Sequence, residues 1–379
     1  MVGATPRPAL PVLTSLRFFA AAVVVAGHLQ TDRIGLMPQF LRGWFQSGYE
    51  AVSFFFVLSG FILVYVYSGA REQDGLNVGS SKFLAARFAR IGPAYYLALV
   101  LLLPSFVYGF WIANITRLEH FAPALILVPT LLQAWYPPVS FTWNGPAWSL
   151  SVELFFYLLF PQLLAQTQRF SRAHLLLLAA ASVVVMAGLR MYIFSLDPDD
   201  PNWRYFTQYF PIFHLPSFVF GMALGRQYLF GRHASPATHK LLFLTSAAAL
   251  MLLLGFRASV PPWVVSDALL VPLYGCVIWG ATRMGGFWGG MLAIPALVLF
   301  GEASYSIYIL HTAVIFWWRW VTQKILVIEL DELPDFGIVF ALVTGLSVLV
   351  FLFFERPWRR RILAHYARLS SPHARRVEA

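Results

Sequence analysis

An all-α, polytopic transmembrane bundle is the fold this sequence predicts, and three observations predict it. Of its 379 residues, 59% are hydrophobic and only 12% are charged, against roughly 25% charged in an average soluble domain. Apolar runs long enough to span a bilayer recur from end to end, which a soluble core does not need. The net charge of +10 is also distributed as membrane proteins distribute it. Seven arginines lie between Arg356 and Arg376, after the last apolar run, and others punctuate short loops. That is the positive-inside pattern, with a possible pull toward anionic lipid headgroups. No aromatic-basic alternation suggests a nucleic-acid surface. Cys276 is the one cysteine, so no intramolecular disulfide can form. No small-residue cleavage site follows the first apolar segment, which therefore reads as a retained signal anchor.

The apolar segments fall near 14–30, 48–68, 93–112, 122–136, 147–166, 174–195, 209–226, 240–256, 264–282, 296–318 and 336–354. Basic loops at 82–90, 169–174 and 226–240, with the tail from Arg356, are expected in the cytoplasm. The acidic stretches 197–204 and 329–335 are expected outside. Eleven full spans would put the 169–174 loop and the tail on opposite sides. The conflict disappears if 122–136 dips into the outer leaflet without crossing. It is short and bracketed by Pro123, Pro129, Pro137 and Pro138, which disfavours a regular span. About ten spanning helices, a re-entrant half segment near 122–136 and two cytoplasmic termini are the expected topology. One transmembrane domain would cover 1–360, with a basic cytoplasmic tail at 361–379. The Asn114-Ile115-Thr116 sequon falls outside and carries no functional weight.

Chemistry is sought first in the first segment, where Arg17 and His28 are the ionisable residues. They stand eleven positions apart, so at about 100° per residue both leave one helix face, ~16 Å apart along the axis. Ionisable groups inside a membrane helix cost a few kcal/mol and mark functional sites by default. In the second segment, FFFVLSGF (54–61) ends in Ser59-Gly60, small residues that let helices approach closely. Next comes RFARIGP, which sets Arg87 and Arg90 on one side of a helix ending before Pro93. They could grip a diphosphate with forked hydrogen bonds, or serve only as two positive-inside arginines. In NGPAWSLSVELFFYLLFP (144–161), Glu153 must pair or face a polar cavity, because FFYLLF follows it. Trp148, Ser149 and Tyr157 share its neighbourhood. Finally, GEASYSIYILH (301–311) places Glu302, Tyr305, Tyr308 and His311 in an unusually polar patch, where His311 is either a satisfied interior histidine or part of a site. HExxH, CxxC, Gly-rich phosphate loops and GxSxG are all missing, so metal and serine-hydrolase chemistry lack support.

Taken in order, LTSLRFFAAAVVVAGH, FFFVLSGFIL, RFARIGPAYYL, PAWSLSVELFFYLLFP, GEASYSIYILH and FFERPWR resemble the successive signature blocks of the integral-membrane acyltransferase 3 family. The resemblance runs from Leu13 to Arg360, and the order and spacing of the blocks are more specific than any one block. Gly92 departs from the pattern, standing where the family has a bulky aromatic before the proline.

Membership implies an O-acyltransferase of the bacterial cytoplasmic membrane in its stand-alone form, without a fused esterase-like domain. The implied reaction moves an acyl group, commonly acetyl, from cytoplasmic acyl-CoA to a hydroxyl of a polysaccharide, lipid-linked glycan or macrolide. No metal is implied. The resemblance gives essential roles to Arg17 and His28, associates Arg87 and Arg90 with the donor, and matches Glu153 to the acidic residue of the WSLxxE block. On that footing His28 is the general base, since its ordinary pKa lies near neutrality, and Glu153 orients it. Trp148, Ser149, Tyr305 and His311 would support the site. The rival class is a transporter using Arg17, His28 and Glu153 as a proton or substrate relay, although no paired inverted halves are visible.

Overall fold

The structure, a computed structural model, describes residues 7–29, 38–112, 117–197, 199–261 and 265–370; the sequon at 114–116 and the end of the basic tail lie outside them. It is helical almost throughout. The one departure toward strand among the described residues is an isolated bridge between Ser68 and Leu76.

The chain opens with α1 (Pro11–His28), whose proline sits in the first turn, where its missing N–H is no loss. A short α2 (Gln39–Phe45) leads to α3 (Gly48–Tyr67). Arg7 caps the far end of α3, donating to the carbonyls of Tyr65, Ser68 (3.0 Å) and Gly69 (2.8 Å). The 32-residue α4 (Ser80–Trp111) runs straight through Pro93 and Pro104. Arg87 and Arg90 therefore lie within a continuous helix, not on one that stops before Pro93. In an apolar surround helical bonding is the cheapest fate for the backbone, and neighbours re-satisfy what proline frees. The Tyr305 hydroxyl donates to the Ile91 carbonyl at 2.6 Å, which ties α14 to α4 beside Pro93; the carbonyl that Pro93 itself leaves without a helical donor is that of Ala89, four residues back.

After α5 (Leu118–Leu127), ten residues long with Pro123 inside it, the chain abandons regular helix. Leu131 takes φ +59°, and three 3-10 turns follow between Gln133 and Ala147. Its polar side chains turn inward: buried Gln133 donates to the Ala147 carbonyl (2.9 Å), and buried Asn144 donates to that of Ile309 (3.1 Å). The segment near 122–136 thus forms a short helix and a folded-back loop, well below spanning length.

Then come α6 (Trp148–Thr167), α7 (Arg172–Leu196), α8 (Pro201–Tyr209), α9 (Leu215–Phe230), α10 (Pro236–Gly255), α11 (Asp267–Ala281) and α12 (Gly286–Leu292). The last four are α13 (Pro295–Glu302), α14 (Ser304–Trp320), α15 (Glu332–Val350) and α16 (Arg356–Leu369). A π-turn over Phe351–Glu355 joins α15 and α16 into a single rod.

Seven of the described helices are long and apolar enough to cross a bilayer, and nine are if each of two bent pairs counts once. Those pairs are α11 with α12, bent by 103°, and α13 with α14, bent by 63°. The chain is a multi-pass membrane protein. Sixteen-residue α9, largely buried, is shorter than that span criterion.

α3 and α9 form the closest helix pair, and glycine is the reason. A methyl added at Gly60 would sit 2.1 Å from the Phe218 carbonyl oxygen, and one at Gly221 would sit 2.0 Å from that of Val57. Small residues at a membrane-helix interface allow this backbone approach, as the Ser59-Gly60 step suggested. Gly60→Ala should force the helices apart and destabilise the protein by about 1–3 kcal/mol. The check is the unfolding midpoint in detergent, and an unchanged midpoint would mean that the pair is not tightly packed.

Candidate active site

A cavity of about 150 Å³ opens between α1, α3, α4, α6 and α14. Arg17 enters from α1, Arg87 and Arg90 from α4, and Ser149, Glu153 and Tyr157 from α6, while Ser304, Tyr305 and Tyr308 close it from α14. The spacing explains each group. Residues 149, 153 and 157 are four apart and therefore form one stripe along α6, and 305 and 308 share a face of α14. Phe55, Phe56, Leu63 and Leu150 make the remaining wall apolar.

The three arginines occupy different situations. Arg90 is bound in a buried ion pair with Glu355, which is 1% exposed. Glu355 also accepts from Ser306 at 2.6 Å, and the Arg90 guanidinium lies over the Tyr305 ring. Arg87 donates to the Tyr67 hydroxyl at 2.9 Å and lies over the rings of Tyr67 and Tyr157, with no carboxylate in contact. Arg17 makes no hydrogen bond or ion pair among the described residues; Glu153, Tyr157, Glu302 and Arg87 lie within electrostatic range of it. Arg87 and Arg90, expected to grip a diphosphate together, both line the cavity with Arg17 but in different states: Arg90 is held by Glu355, while Arg87 has no carboxylate in contact among the described residues.

Glu153 accepts from the Tyr157 hydroxyl and, at 3.4 Å, from Ser59. It stands in the Arg17 layer and does not touch His28. Its expected part as orienter of the histidine has no contact to support it. The folded-back 3-10 stretch starts α6 deep in the bundle, which sets Glu153 level with Arg17 rather than with the end of α1.

His28 has a different companion. Its ring lies 4.6 Å, centroid to centroid, from that of His311, edge to face. The His28 Nδ1–H donates to the Val24 carbonyl at 2.9 Å, and the His311 Nδ1–H donates to the Tyr308 carbonyl at 2.6 Å. A carbonyl can only accept, so both protons sit on Nδ1 and both Nε2 atoms carry lone pairs. His311 is fully buried and its Nε2 has no partner, whereas His28 is exposed at the end of α1. The two histidines do not line the cavity. Between them and it stands Tyr308, hydrogen-bonded to Ser149 at 2.7 Å and 6.2 Å from the His311 ring. Trp148 is not exposed at an interface but packed among Tyr49, Tyr209 and His214.

The site thus has three layers: arginines with Glu153, then Ser149 with Tyr308, then the histidine pair. Among the described residues no cluster could hold a metal. The description of an acyltransferase domain matches residues 11–352, nearly the whole chain. The chain belongs to the acyltransferase 3 family. It is an O-acyltransferase. It is 30% identical over 330 residues to the acyltransferase MdmB of Streptomyces mycarofaciens, covering 81% of this chain and 79% of that one. It is 28% identical to the exopolysaccharide production protein ExoZ of Rhizobium meliloti, over 84% and 91% of the two chains. It is 24% identical to the peptidoglycan O-acetyltransferase OatA of Listeria monocytogenes, over 95% of this chain but 57% of that protein. No solved structure matches the chain significantly.

Glu355 was missed by sequence reasoning, although it lies in the FFERPWR block. Its signal was present: a carboxylate directly after an apolar run needs a buried partner. The same argument would have flagged Arg190 on α7, which donates to Asp267 at 2.8 Å. Ser53 donates to the other oxygen of Asp267 at 2.7 Å.

Proposed function

We propose that this enzyme transfers an acyl group, acetyl by preference, from acyl-CoA on the cytoplasmic side to a hydroxyl of a glycan acceptor, with His28 as general base. The observation that carries the reading is the layered order of the site. Cations without a contacting carboxylate, Arg17 and Arg87, face the cavity at one end. A histidine with a bare Nε2 is exposed at the other end. A thioester carried on a long arm suits this arrangement, with its phosphates held at the arginines and its carbonyl reaching past Tyr308.

In the proposed step the acceptor hydroxyl oxygen attacks the thioester carbonyl while His28 Nε2 takes its proton. The C–O bond forms, the C–S bond breaks, and the thiolate leaves to be protonated as free CoA. The His311 ring packs edge to face on that of His28, 4.6 Å between centroids, and places a second imidazole beside the base. Tyr308, now closed on Ser149, must swing aside for the carbonyl to arrive. Exopolysaccharide and peptidoglycan, in the names of two relatives, make a surface glycan the acceptor class tested first.

The test uses the purified chain in vesicles with radiolabelled acetyl-CoA and a crude surface-glycan acceptor. Label should pass to the acceptor with release of equimolar CoA. Transfer from another acyl donor with acetyl-CoA inert would overturn the donor assignment, and label resting on the protein after donor alone would overturn direct attack.

A further inference from the structure

The aromatic layer around Trp148 continues toward the surface in rings that the site has not yet used. On α8, Tyr205 and Tyr209 stand four apart and share a face. Their rings stack 5.8 Å apart, and Tyr209 stacks in turn on Phe141 at 5.6 Å. Phe141 is 43% exposed, and both tyrosines are half-buried. Neither phenol makes a hydrogen bond among the described residues, and both hydroxyls reach the surface.

This ladder of rings stands on a braced floor. Tyr209 packs on Trp148 at 4.8 Å, and Trp148 stacks on Tyr49 and meets the buried His214 ring. The Tyr49 hydroxyl donates to the Gln208 carbonyl and accepts from Arg190, which also donates to Asp267 at 2.8 Å. A buried ion pair thus locks the rings beneath and holds the outer rings in one arrangement. The ladder also lies beside the histidines. Asn144 donates to the Ile309 carbonyl at 3.1 Å and accepts from Thr312 at 3.0 Å, bonds that bracket His311 on α14. Phe141 is three residues from Asn144, within about 11 Å of it even if the chain were fully extended.

Such a surface suits a sugar. A pyranose has a face of C–H groups and a rim of hydroxyls. The C–H face settles on the negative face of an aromatic ring, and the rim exchanges hydrogen bonds with phenol hydroxyls. A hydrocarbon tail would use the rings but give the phenols no partner. The spacing of the rings is also close to the repeat of sugar units in an extended glycan.

We propose that Phe141, Tyr209 and Tyr205 form the acceptor platform, a ring surface that seats consecutive sugar units of a glycan beside the histidine pair. The inference rests on the glycan-acceptor reading above and names where that glycan binds. The ion pair between Arg190 and Asp267 gains a role in it, as the brace under Tyr49 and Trp148.

The test is initial rates in vesicles with radiolabelled acetyl-CoA, varying a crude surface-glycan acceptor and then the donor. Tyr209→Ala and Tyr205→Ala should each raise KM for the glycan roughly three- to tenfold, the loss of one stacked ring. KM for acetyl-CoA should change less than about twofold. Tyr205 ends the ladder, so its variant should keep the wild-type unfolding midpoint even where Tyr209→Ala does not. Tyr209→Phe, which keeps the ring, should recover most of the affinity. Wild-type protein that labels no surface glycan overturns the acceptor reading and this inference with it. Normal wild-type transfer, with KM for the glycan unchanged in both alanine variants, overturns the platform alone. Losses in which the two KM values rise together, or which follow a lowered midpoint in both variants, make the rings structural and also overturn it.

Discussion

His28→Ala is expected to lower acyl transfer by roughly 10²- to 10⁴-fold, the range that positioned general bases contribute. The protein should still fold. His28 ends α1 as an exposed residue, and its one side-chain hydrogen bond among the described residues is to the carbonyl of its own helix, so truncation strands no buried hydrogen-bond partner there. Donor binding should persist because Arg17 and Arg87 are untouched. If His311 shares the proton, then His311→Ala should also lose activity, and the double variant should cost little more than His28→Ala alone, as happens when two residues act as one unit. The measurement is single-turnover transfer in vesicles, with the unfolding midpoint as control. Activity near wild type in His28→Ala would sink the base assignment. Fully additive losses would dissolve the pair into two independent residues.

The limits of sequence reading show in which residue meets which. The segments were legible because each buries an apolar run, and run length is a one-dimensional property. The cost of Arg17, His28 and Glu153 in apolar surroundings was legible for the same reason, and all three lie in or beside the layered site. Partnership was not legible. Arg90 meets Glu355 across 265 positions, and His28 meets His311 although the sequence offered Glu153 as a plausible mate. The deciding step was the folded-back stretch between Gln133 and Ala147, which fixes how deep α6 begins. Proline clusters announced that the stretch is irregular but not how far it penetrates. Proline misled once in the other direction. Pro93 read as a helix end, yet Arg87 and Arg90 stand within a continuous helix, because in an apolar medium the backbone has no cheaper fate than helical bonding, and one lost N–H does not outweigh it.

The two arginines of RFARIGP, equivalent in sequence, should separate sharply on substitution. Arg90→Ala removes the cation from a carboxylate that is 1% exposed and leaves Glu355 with Ser306 alone. Breaking a buried pair from one side costs about 3–5 kcal/mol, because the remaining charge is stranded. A large fall in unfolding midpoint and in folded yield is the expected result, with activity lost through the fold rather than through donor affinity. Arg87→Ala gives up one hydrogen bond and two ring contacts but strands no acid, so it should cost roughly 1–2 kcal/mol and act mainly on KM for the donor. The sharper check is compensation. Replacing both members of the pair, as Arg90→Met with Glu355→Leu, should regain most of the stability that Arg90→Ala loses, since apolar groups of similar volume remove both desolvation penalties at once. A double-mutant cycle on the midpoint measures the coupling. If Arg90→Ala is as stable as wild type and only raises KM, then Arg90 is a donor ligand after all, and Glu355 must find its counter-charge elsewhere.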